Sequence, residues 1–421
     1  MKTALVYAQD ERTLKEKLPK FLRDKDYIDY KILTLLVDNA TLQDVLEPKA
    51  VNKFVYDFVD AIFLLDGKNL DAAIPLFFNL GVAPRKIILW NEQHSVEPLK
   101  FSQRDGTPVI CFEGLEFHIK NSQDENFMKQ ALQRMRNQKI LHNQPRENYP
   151  SLLKNWYRQW MGRELDLDNP KTYTEKINWL KLYDSTPLKA RLADKFAVRD
   201  YVADKIGADK LKPIFGAWDS FDEINFDELP NQFALKCNHG SGMNIIVKDK
   251  NSLDRHSARE RINAWLATDY GATQLELHYS LIKRKIVAEK YLEEANGNLH
   301  DYRVYCFNGE PTFICVTEIW NHEEHKFNQG YYGTDWHDLG AMFEDAPLFE
   351  SPLLKPENLK ELLSCAKILC AGFSCVRVDF FNLENTILFG EMTFIPNAGF
   401  LPYKRTWTYE RDLEIGNMIK L

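Results

Sequence analysis

"LPNQFALKCNHGSGMNIIVKDK", Leu229 to Lys250, sets two apolar runs around a loop that carries Gly240 and Gly242. Lys236 stands before the loop and Lys248 after it. A P-loop or dinucleotide loop runs from a strand into a helix, whose first amides meet the phosphate. Here "NIIVK" follows, and two isoleucines and a valine before a charged turn predict a strand. The segment therefore reads as strand, glycine loop, strand. Such a hairpin can cover phosphates, because glycine permits positive φ and close approach of backbone N–H groups. Lys236 would add a point charge at the end of the first strand. A plain hairpin tip also favours Asn, Gly and Ser, so the rest of the chain must decide.

The chain has 421 residues, 44% apolar and 27% charged, with net charge −7. That is enough for roughly two to four domains with cores of their own. The acidic balance argues against a general nucleic-acid binder, which would present a basic face. No apolar run approaches the ~18 residues of a membrane span. The opening "MKTALVYAQDERTLKEK" turns charged too soon for a signal-peptide core. Seven cysteines contain no C-x-x-C and read as reduced thiols packed in cores. We expect a cytoplasmic protein with no transmembrane segment and no nucleic-acid partner.

Residues 1–140 alternate strand and helix patterns. "TALVYA", "KILTLLV", "AIFLLD", "KIILW" and "PVICFE" are short apolar runs of the kind buried in a parallel sheet. Helical patterns such as "LDAAIPLFFNLG" lie between them, which predicts a doubly wound, Rossmann-like α/β domain. Polar residues follow the strands at Asp10, Asp38, Asp66, Asn91, Glu92 and Glu113, where such sheets bind ligands. No G-x-G-x-x-G follows the first strand, which argues against a dinucleotide. A helix and a polar linker are expected over 122–150, with the boundary near 145. Residues 141–210 form a helical segment. "TYTE" is a capping box before "INWLKLY", and one helix is expected across "KARLADKFAVRDYVADKIG". From 211 to 421 the pattern is strand-rich, with helical interruptions near 255–282 and 356–371.

"CVRVDFFNLENTILFGEMTFIPNAGF" changes the weight of the glycine loop. "VRVDFF" and "ILFGEMTF" predict two strands joined at "NLEN". Alternation puts Arg377 and Asp379 on one face and Val376, Val378 and Phe380 on the other. A turn near Glu384–Asn385 sets Asp379 roughly opposite Glu391, which shares a face with Thr393. Like charges across a sheet are destabilising, so the pair invites a cation. Mg²⁺ suits carboxylate oxygens and bridges to phosphate. Between the hairpins, "IVAEKYL" predicts a strand entering a polar turn. Its edge could hold adenine by backbone bonds, with Glu289 or Glu293 taking the amino group or ribose hydroxyls. "YRVYCFNGEPTFICV" predicts a hairpin with an Asn-Gly turn.

These motifs, in order, resemble the ATP-grasp fold. "KCNHGSGMNIIVKDK", "DYRVYCFNG", "NQGYYGTDW" and "VRVDFFN…GEMTFIPNAGF" are similar to the TupA-like ATP-grasp family of bacterial surface polysaccharide synthesis, over about residues 150 to 410. The resemblance implies an α+β domain of two antiparallel sheets clamping ATP, with Mg²⁺. It implies that Lys195 and Lys236 contact ATP phosphates and that the backbone of His239, Gly240, Ser241 and Gly242 covers them. Glu289, Lys290 and Leu292 would frame adenine, with Glu293 near the ribose. Asp379 and Glu391 would hold the metal, and Arg303 and Arg377 would neutralise the transferred phosphoryl group or an acyl phosphate. Many ATP-grasp ligases carry Glu-x-Asn at the metal end. Here it is "EMT", with Thr393 in the Asn position and Asn397 as a substitute four residues on.

The implied activity is carboxylate–amine ligation through an acyl phosphate. The expected substrates are a uronic-acid sugar, or a sugar nucleotide bearing one, and an amine. The setting is capsule or lipopolysaccharide precursors, beside other polysaccharide-assembly enzymes. A kinase using the same clamp, a glycosyltransferase using the N-terminal domain, and a non-catalytic scaffold are the rivals. Each site residue has a plainer reading. Lys195 could be a solvated helix lysine, His239 a loop cap, Arg303 a strand salt-bridge former, and "NQGYYGTDW" simple packing rather than a sugar-stacking surface.

Overall fold

The computed structural model describes residues 141–292, 299–321, 326–343, 347–404 and 406–421. It also describes seven strands between Lys2 and His118 and helical positions Phe127, Ala131, Arg134 and Gln138. The chain divides into two compact units, Met1–Ala131 and Leu132–Leu421.

In the first unit, β1 (Lys2–Ala8), β2 (Tyr30–Leu36), β3 (Ala61–Leu64) and β4 (Ile87–Leu89) form a parallel sheet in the order β2-β1-β3-β4. Four of the five expected strands are there. The fifth run is placed differently. β6 (Thr107–Phe112) is the middle of an antiparallel sheet, between β5 (Lys100–Arg104) and β7 (Leu115–His118). The registers pair Arg104 with Thr107 and Phe112 with Leu115. Each leaves a two-residue connection, Asp-Gly and Glu-Gly in sequence, and two-residue Xaa-Gly connections are a hairpin signal. An apolar run alone does not distinguish a parallel strand from a central antiparallel one. The expected helices between the parallel strands, and Asp10, Asp38, Asp66, Asn91, Glu92 and Glu113, lie outside the described residues.

The second unit begins with helices. Tyr173–Tyr183 starts at the expected capping box: Glu175 N donates to Thr172 Oγ1 at 3.3 Å, and Glu175 Oε2 accepts from Thr172 N at 2.9 Å. The next expected helix is broken in two, Pro187–Ala193 and Val198–Ile206. Asp194 causes the break. Its Oδ1 accepts the backbone N–H groups of Phe196 (2.8 Å) and Ala197 (3.1 Å), which competes with a continuous helix. Lys195 is thereby set on a corner instead of a helix face.

Two antiparallel sheets follow. The first is β10-β9-β11-β8, from β8 (Ile214–Trp218), β9 (Phe233–Cys237), β10 (Asn244–Val247) and β11 (Ile286–Lys290). The second is β14-β13-β12-β15-β16, from β12 (His300–Phe307), β13 (Glu310–Asn321), β14 (Lys326–Gly333), β15 (Cys375–Leu383) and β16 (Thr386–Thr393). β12 and β13 join through Asn308 and Gly309, both at positive φ, as an Asn-Gly turn requires. Val304, Ile314, Val316, Val376, Val378 and Phe380 are buried on one face of this sheet, beneath helix Leu359–Cys370. Each contributes about 1.5–3 kcal/mol of burial. The opposite face is mixed: Asp301, Arg303, Arg377 and Asp379 share it with buried Tyr305, Phe313, Cys315 and Tyr331. The six described cysteines are free and buried.

The expected polar linker near 138–150 is not loose. Leu141 is buried with Leu153, Tyr157 and Phe400. Gln138 Oε1 accepts from Asp269 N at 2.8 Å, and His142 Nε2 lies 3.0 Å from Asp269 Oδ2. A fragment beginning at residue 132 keeps these contacts and one beginning at Asn148 loses them. We expect the shorter fragment to melt roughly 5 °C or more lower by calorimetry, since burial of one leucine is worth about 2–5 kcal/mol. Equal melting would make residues 132–147 dispensable.

Candidate active site

The loop between β9 and β10 is held at its base. Cys237 N donates to Met243 O at 3.0 Å. Asn238 Nδ2 donates to Asp194 Oδ1 and Lys283 O, both at 2.9 Å, and its Oδ1 accepts Lys285 N at 2.7 Å. Ser241 and Gly242 at the tip are exposed. The two glycines serve different ends. A Cβ on Gly240 would lie 2.6 Å from the Tyr270 ring, so Gly240 lets the loop pack there. Gly242 has φ +70° with open space around it, so it makes the turn. His239 is buried, with Nε2 3.1 Å from Trp265 O, so its imidazole faces the core.

Burial pushes the His239 pKa down to about 4. The unfolded chain takes up this proton first, so stability is complete above the ordinary histidine range. It falls as pH drops from about 6.5 toward 4. The full loss is about 3 kcal/mol. Buried His278, also pushed down, to about 3, adds to this loss, whereas the buried carboxyls of Glu276 and Asp379, both pushed up to about 7, act in the opposite sense over the same range. We therefore expect His239→Gln to raise the melting temperature at pH 5 relative to the wild type, measured against their difference at pH 7.5. An unchanged difference would remove His239 from this account.

Lys195 joins the loop to the second sheet. Its backbone N donates to Asn238 O at 3.3 Å, and its Nζ donates to Gly240 O at 2.7 Å. The same Nζ lies 3.4 Å from Glu391 Oε2. Lys236 has a different partner: its Nζ donates to Glu289 Oε2 at 2.7 Å, and Lys212 Nζ reaches the same oxygen at 2.9 Å. Burial alone would raise the Glu289 pKa, but the two lysines outweigh it and hold the carboxyl well below its ordinary range. Burial, with Lys236 alongside, brings Lys212 down to about 8.

Glu289 is thus committed to lysines. It also lies on no sheet edge, because β11 is paired on both sides, with β9 and β8. Lys290 N donates to Pro213 O at 2.9 Å. The free strand edge expected at Glu289 is therefore absent there, and pairing ends at Lys290. Lys290 is exposed, and Tyr291 and Leu292 are half-buried, with Lys248 Nζ 5.7 Å over the Tyr291 ring. Glu293 lies outside the described residues.

On the second sheet, β15 and β16 turn at Glu384 and Asn385, both at positive φ. Regular pairing from Leu383↔Thr386 would set Asp379 opposite Gly390. An irregularity between Asp379 and Phe380 shifts the partner to Glu391. A Cβ on Gly390 would lie 2.8 Å from Asp379 O, so the bulge needs glycine there. The shift keeps Phe389 and Met392 in the core and turns Glu391 toward Asp379. Arg377 lies between the two acids. Its Nε donates to Asp379 Oδ1 (2.8 Å), and its Nη2 to Asp379 Oδ2 (2.6 Å) and Glu391 Oε1 (3.3 Å). Thr393 Oγ1 donates to Glu391 Oε1 at 3.1 Å.

The Arg377 guanidinium thus lies between the two carboxylates. Burial pushes Asp379 up to about 7 in spite of Arg377. Burial would also raise Glu391, but Lys195 and Arg377 bring it down to about 2. The oxygen donors fit a hard cation such as Mg²⁺. Glu391 is the more open of the two carboxylates, with its side chain 32% exposed against 5% for Asp379. Asn397 sits beyond the strand in the turn Pro396–Gly399, exposed and at φ +53°. Arg303 pairs in register with Asp379, and its Nε donates to Asp301 Oδ2 at 2.8 Å.

Sequence reading missed Lys212, Asp301, Asn238 with Asp194, and Tyr270. Only Asp301 had a usable signal, because period two places it on the face of Arg303. "NQGYYGTDW" is packing at its aromatic centre. Tyr332 and Trp336 stack at 4.3 Å, and both are tied to Leu353, through Leu353 N to Tyr332 Oη and Trp336 Nε1 to Leu353 O.

The TupA-like ATP-grasp family matches residues 175–420. The chain belongs to that family. It is an ATP-dependent ligase of the ATP-grasp fold, with the two antiparallel sheets described above. Solved structures with distant likeness include the D-alanine–D-alanine ligase of Bacillus anthracis, at 13% identity over 94% of this chain and 88% of that one, TM-score 0.29. The Helicobacter pylori D-alanine–D-alanine ligase is 16% identical over 60% and 70%, TM-score 0.33. A RiPP-associated ATP-grasp ligase of Chryseobacterium gregarium is 10% identical over 100% and 96%, TM-score 0.28. None of the curated proteins matches the chain. Among the described residues, no helix is long and apolar enough to cross a membrane.

Proposed function

We propose that this ATP-grasp ligase joins a carboxylate to an amine through an acyl phosphate, with a uronic-acid sugar or its sugar nucleotide as the acid. The setting is the cytoplasmic synthesis of capsule or lipopolysaccharide precursors, beside other polysaccharide-assembly enzymes. The observation that carries the ATP site is Lys195, whose ammonium touches both the glycine loop and Glu391. ATP·Mg²⁺ then lies between the hairpin at 233–248 and the hairpin at 376–394.

In this reading Lys195 and Lys236 hold phosphate oxygens, and the exposed backbone at Ser241–Gly242 closes over them. Adenine rests against Lys290–Leu292. Glu391, then Asp379, with Asn397 in reserve, hold Mg²⁺, which when bound neutralises charge on the phosphates. The substrate carboxylate attacks the γ-phosphorus and ADP leaves. The amine then attacks the acyl carbon and phosphate leaves. Arg377 and Arg303 stabilise the charge that develops, by electrostatic preorganisation. The division into 1–140, 141–210 and 211–421 belongs to this proposal, with 1–140 a doubly wound domain that receives the acceptor and binds no ATP.

The test is a product assay with ATP, Mg²⁺, a panel of uronic acids and a panel of amines. ADP, free phosphate and an amide are expected. Phosphate retained on the product would make the protein a kinase.

A further inference from the structure

Two ammonium groups converge on one buried oxygen of Glu289, and the first sheet puts them there. β11 lies between β9 and β8, and Glu289 pairs with Ala234 on one side and Ile214 on the other. Lys236 stands two residues after Ala234, and Lys212 two before Ile214. Each is a diagonal neighbour of Glu289, within reach of a long side chain. They meet at Glu289 Oε2, Lys236 Nζ at 2.7 Å and Lys212 Nζ at 2.9 Å.

One lysine would have matched Glu289. The second is repelled by the first and loses its water, which is costly in a protein interior. The strain shows in Lys212, whose pKa burial and Lys236 bring down to about 8. Arg199 adds a further positive charge near Glu289. Glu391 attracts Lys236 as well, but it already has Lys195 and Arg377. The two lysines are not equivalent. Lys212 is shut in, with its side chain 6% exposed and its ammonium 4.9 Å over the Phe381 ring of the second sheet. Lys236 is more open, at 19%, and stands on the strand that leads into the glycine loop. Were Lys236 alone, Glu289 would cancel its charge. Drawing it to an anion would then leave a buried carboxylate unpaired, which is strongly unfavourable. With Lys212 held in place, Glu289 stays paired whichever way Lys236 turns.

We infer that Lys212 is a positioning residue of the nucleotide site, which neutralises Glu289 and so leaves the Lys236 charge free for a phosphate oxygen. Lys212 itself touches no substrate. The contact of Lys236 with phosphate rests on the reading above, and the experiment separates the two.

The experiment is calorimetry of AMPPNP with Mg²⁺ on the full chain, with melting temperature as the control for folding. The variants are Lys236→Met, Lys212→Met, and Lys212→Met combined with Glu289→Gln. Lys212→Met should weaken AMPPNP by about ten- to a hundredfold, the range of one charge pair at intermediate screening. The added Glu289→Gln removes the carboxylate that would hold Lys236, and should recover at least about fivefold of that loss. A lysine that served only to pack would not be rescued by a second buried change. Where Lys212→Met alone does not fold, the double variant decides, since it leaves no buried charge unpaired. It should bind AMPPNP at least about fivefold more tightly than Lys236→Met. A double variant no tighter than Lys236→Met would overturn the inference. So would a folded Lys212→Met with wild-type affinity, or one that Glu289→Gln does not rescue. Unchanged affinity in Lys236→Met would remove the phosphate reading and the inference with it. A loss in Lys236→Met without one in Lys212→Met would overturn the inference alone.

Discussion

Asp379→Asn and Glu391→Gln should each lower turnover by about a hundred- to a thousandfold while the chain stays folded. Losses of that size follow when one preorganised electrostatic contact is removed from a transition state. Both replacements keep shape and remove charge. Asn imitates the protonated Asp379 that burial already favours near pH 7, so packing around it should survive. What it cannot do is hold Arg377 in a two-toothed grip or offer a charged oxygen to Mg²⁺. Glu391→Gln removes the more open carboxylate, the one proposed for Mg²⁺, and the partner of Lys195. The check is ADP release at saturating and limiting Mg²⁺, with melting temperature as the control for folding. Near-normal turnover of both variants at limiting Mg²⁺ would remove the pair from the metal role.

Lys195→Met should weaken ATP binding by ten- to several-hundredfold. One charge pair at ~4 Å is worth about 1 kcal/mol in water and about 4 at intermediate dielectric, and a partly closed cleft lies between these limits. The Lys195 side chain is 15% exposed, so screening is partial. Lys236→Met should fall in the same range by a different route. It removes the proposed phosphate contact and leaves Glu289 with Lys212 as its ion-pair partner among the described residues. Calorimetry with ATP separates the outcomes. Unchanged affinity in Lys195→Met would make that side chain a structural tie between loop and sheet and nothing more.

Much of this site could be read from periodicity. Alternation in "VRVDFF" put Arg377 and Asp379 on one face, and the buried Val376, Val378 and Phe380 hold the other. The Asn-Gly turn and the strand–loop–strand reading of 233–247 rest on local turn chemistry, which sequence carries directly. The remainder depends on contacts that sequence spacing does not encode. Asp194 looks like any helical aspartate until its carboxylate is found capping Phe196 and Ala197 and holding Asn238. Lys212 and Glu289 are 77 residues apart, and nothing local to either announces a shared buried oxygen. The edge expected at Glu289 vanished because two separate strands, β8 and β9, both pair with β11. An apolar run like that of β6 fits a parallel or an antiparallel sheet, and what separates the two is local: Gly106 and Gly114 in its two-residue connections. Gly390 is the instructive case. A glycine inside a strand is a bulge signal, and here the bulge is what turns Glu391 toward Asp379.

The central claim is that one cleft, bounded by the glycine loop and the acidic hairpin, holds the nucleotide. A structure of the chain with AMPPNP and Mg²⁺ tests it most directly. The account predicts the triphosphate between residues 238–243 and Glu391, with Lys195 on a phosphate oxygen and the adenine against Lys290–Leu292. Nucleotide bound within residues 1–131, or a triphosphate remote from both Lys195 and Glu391, would contradict it.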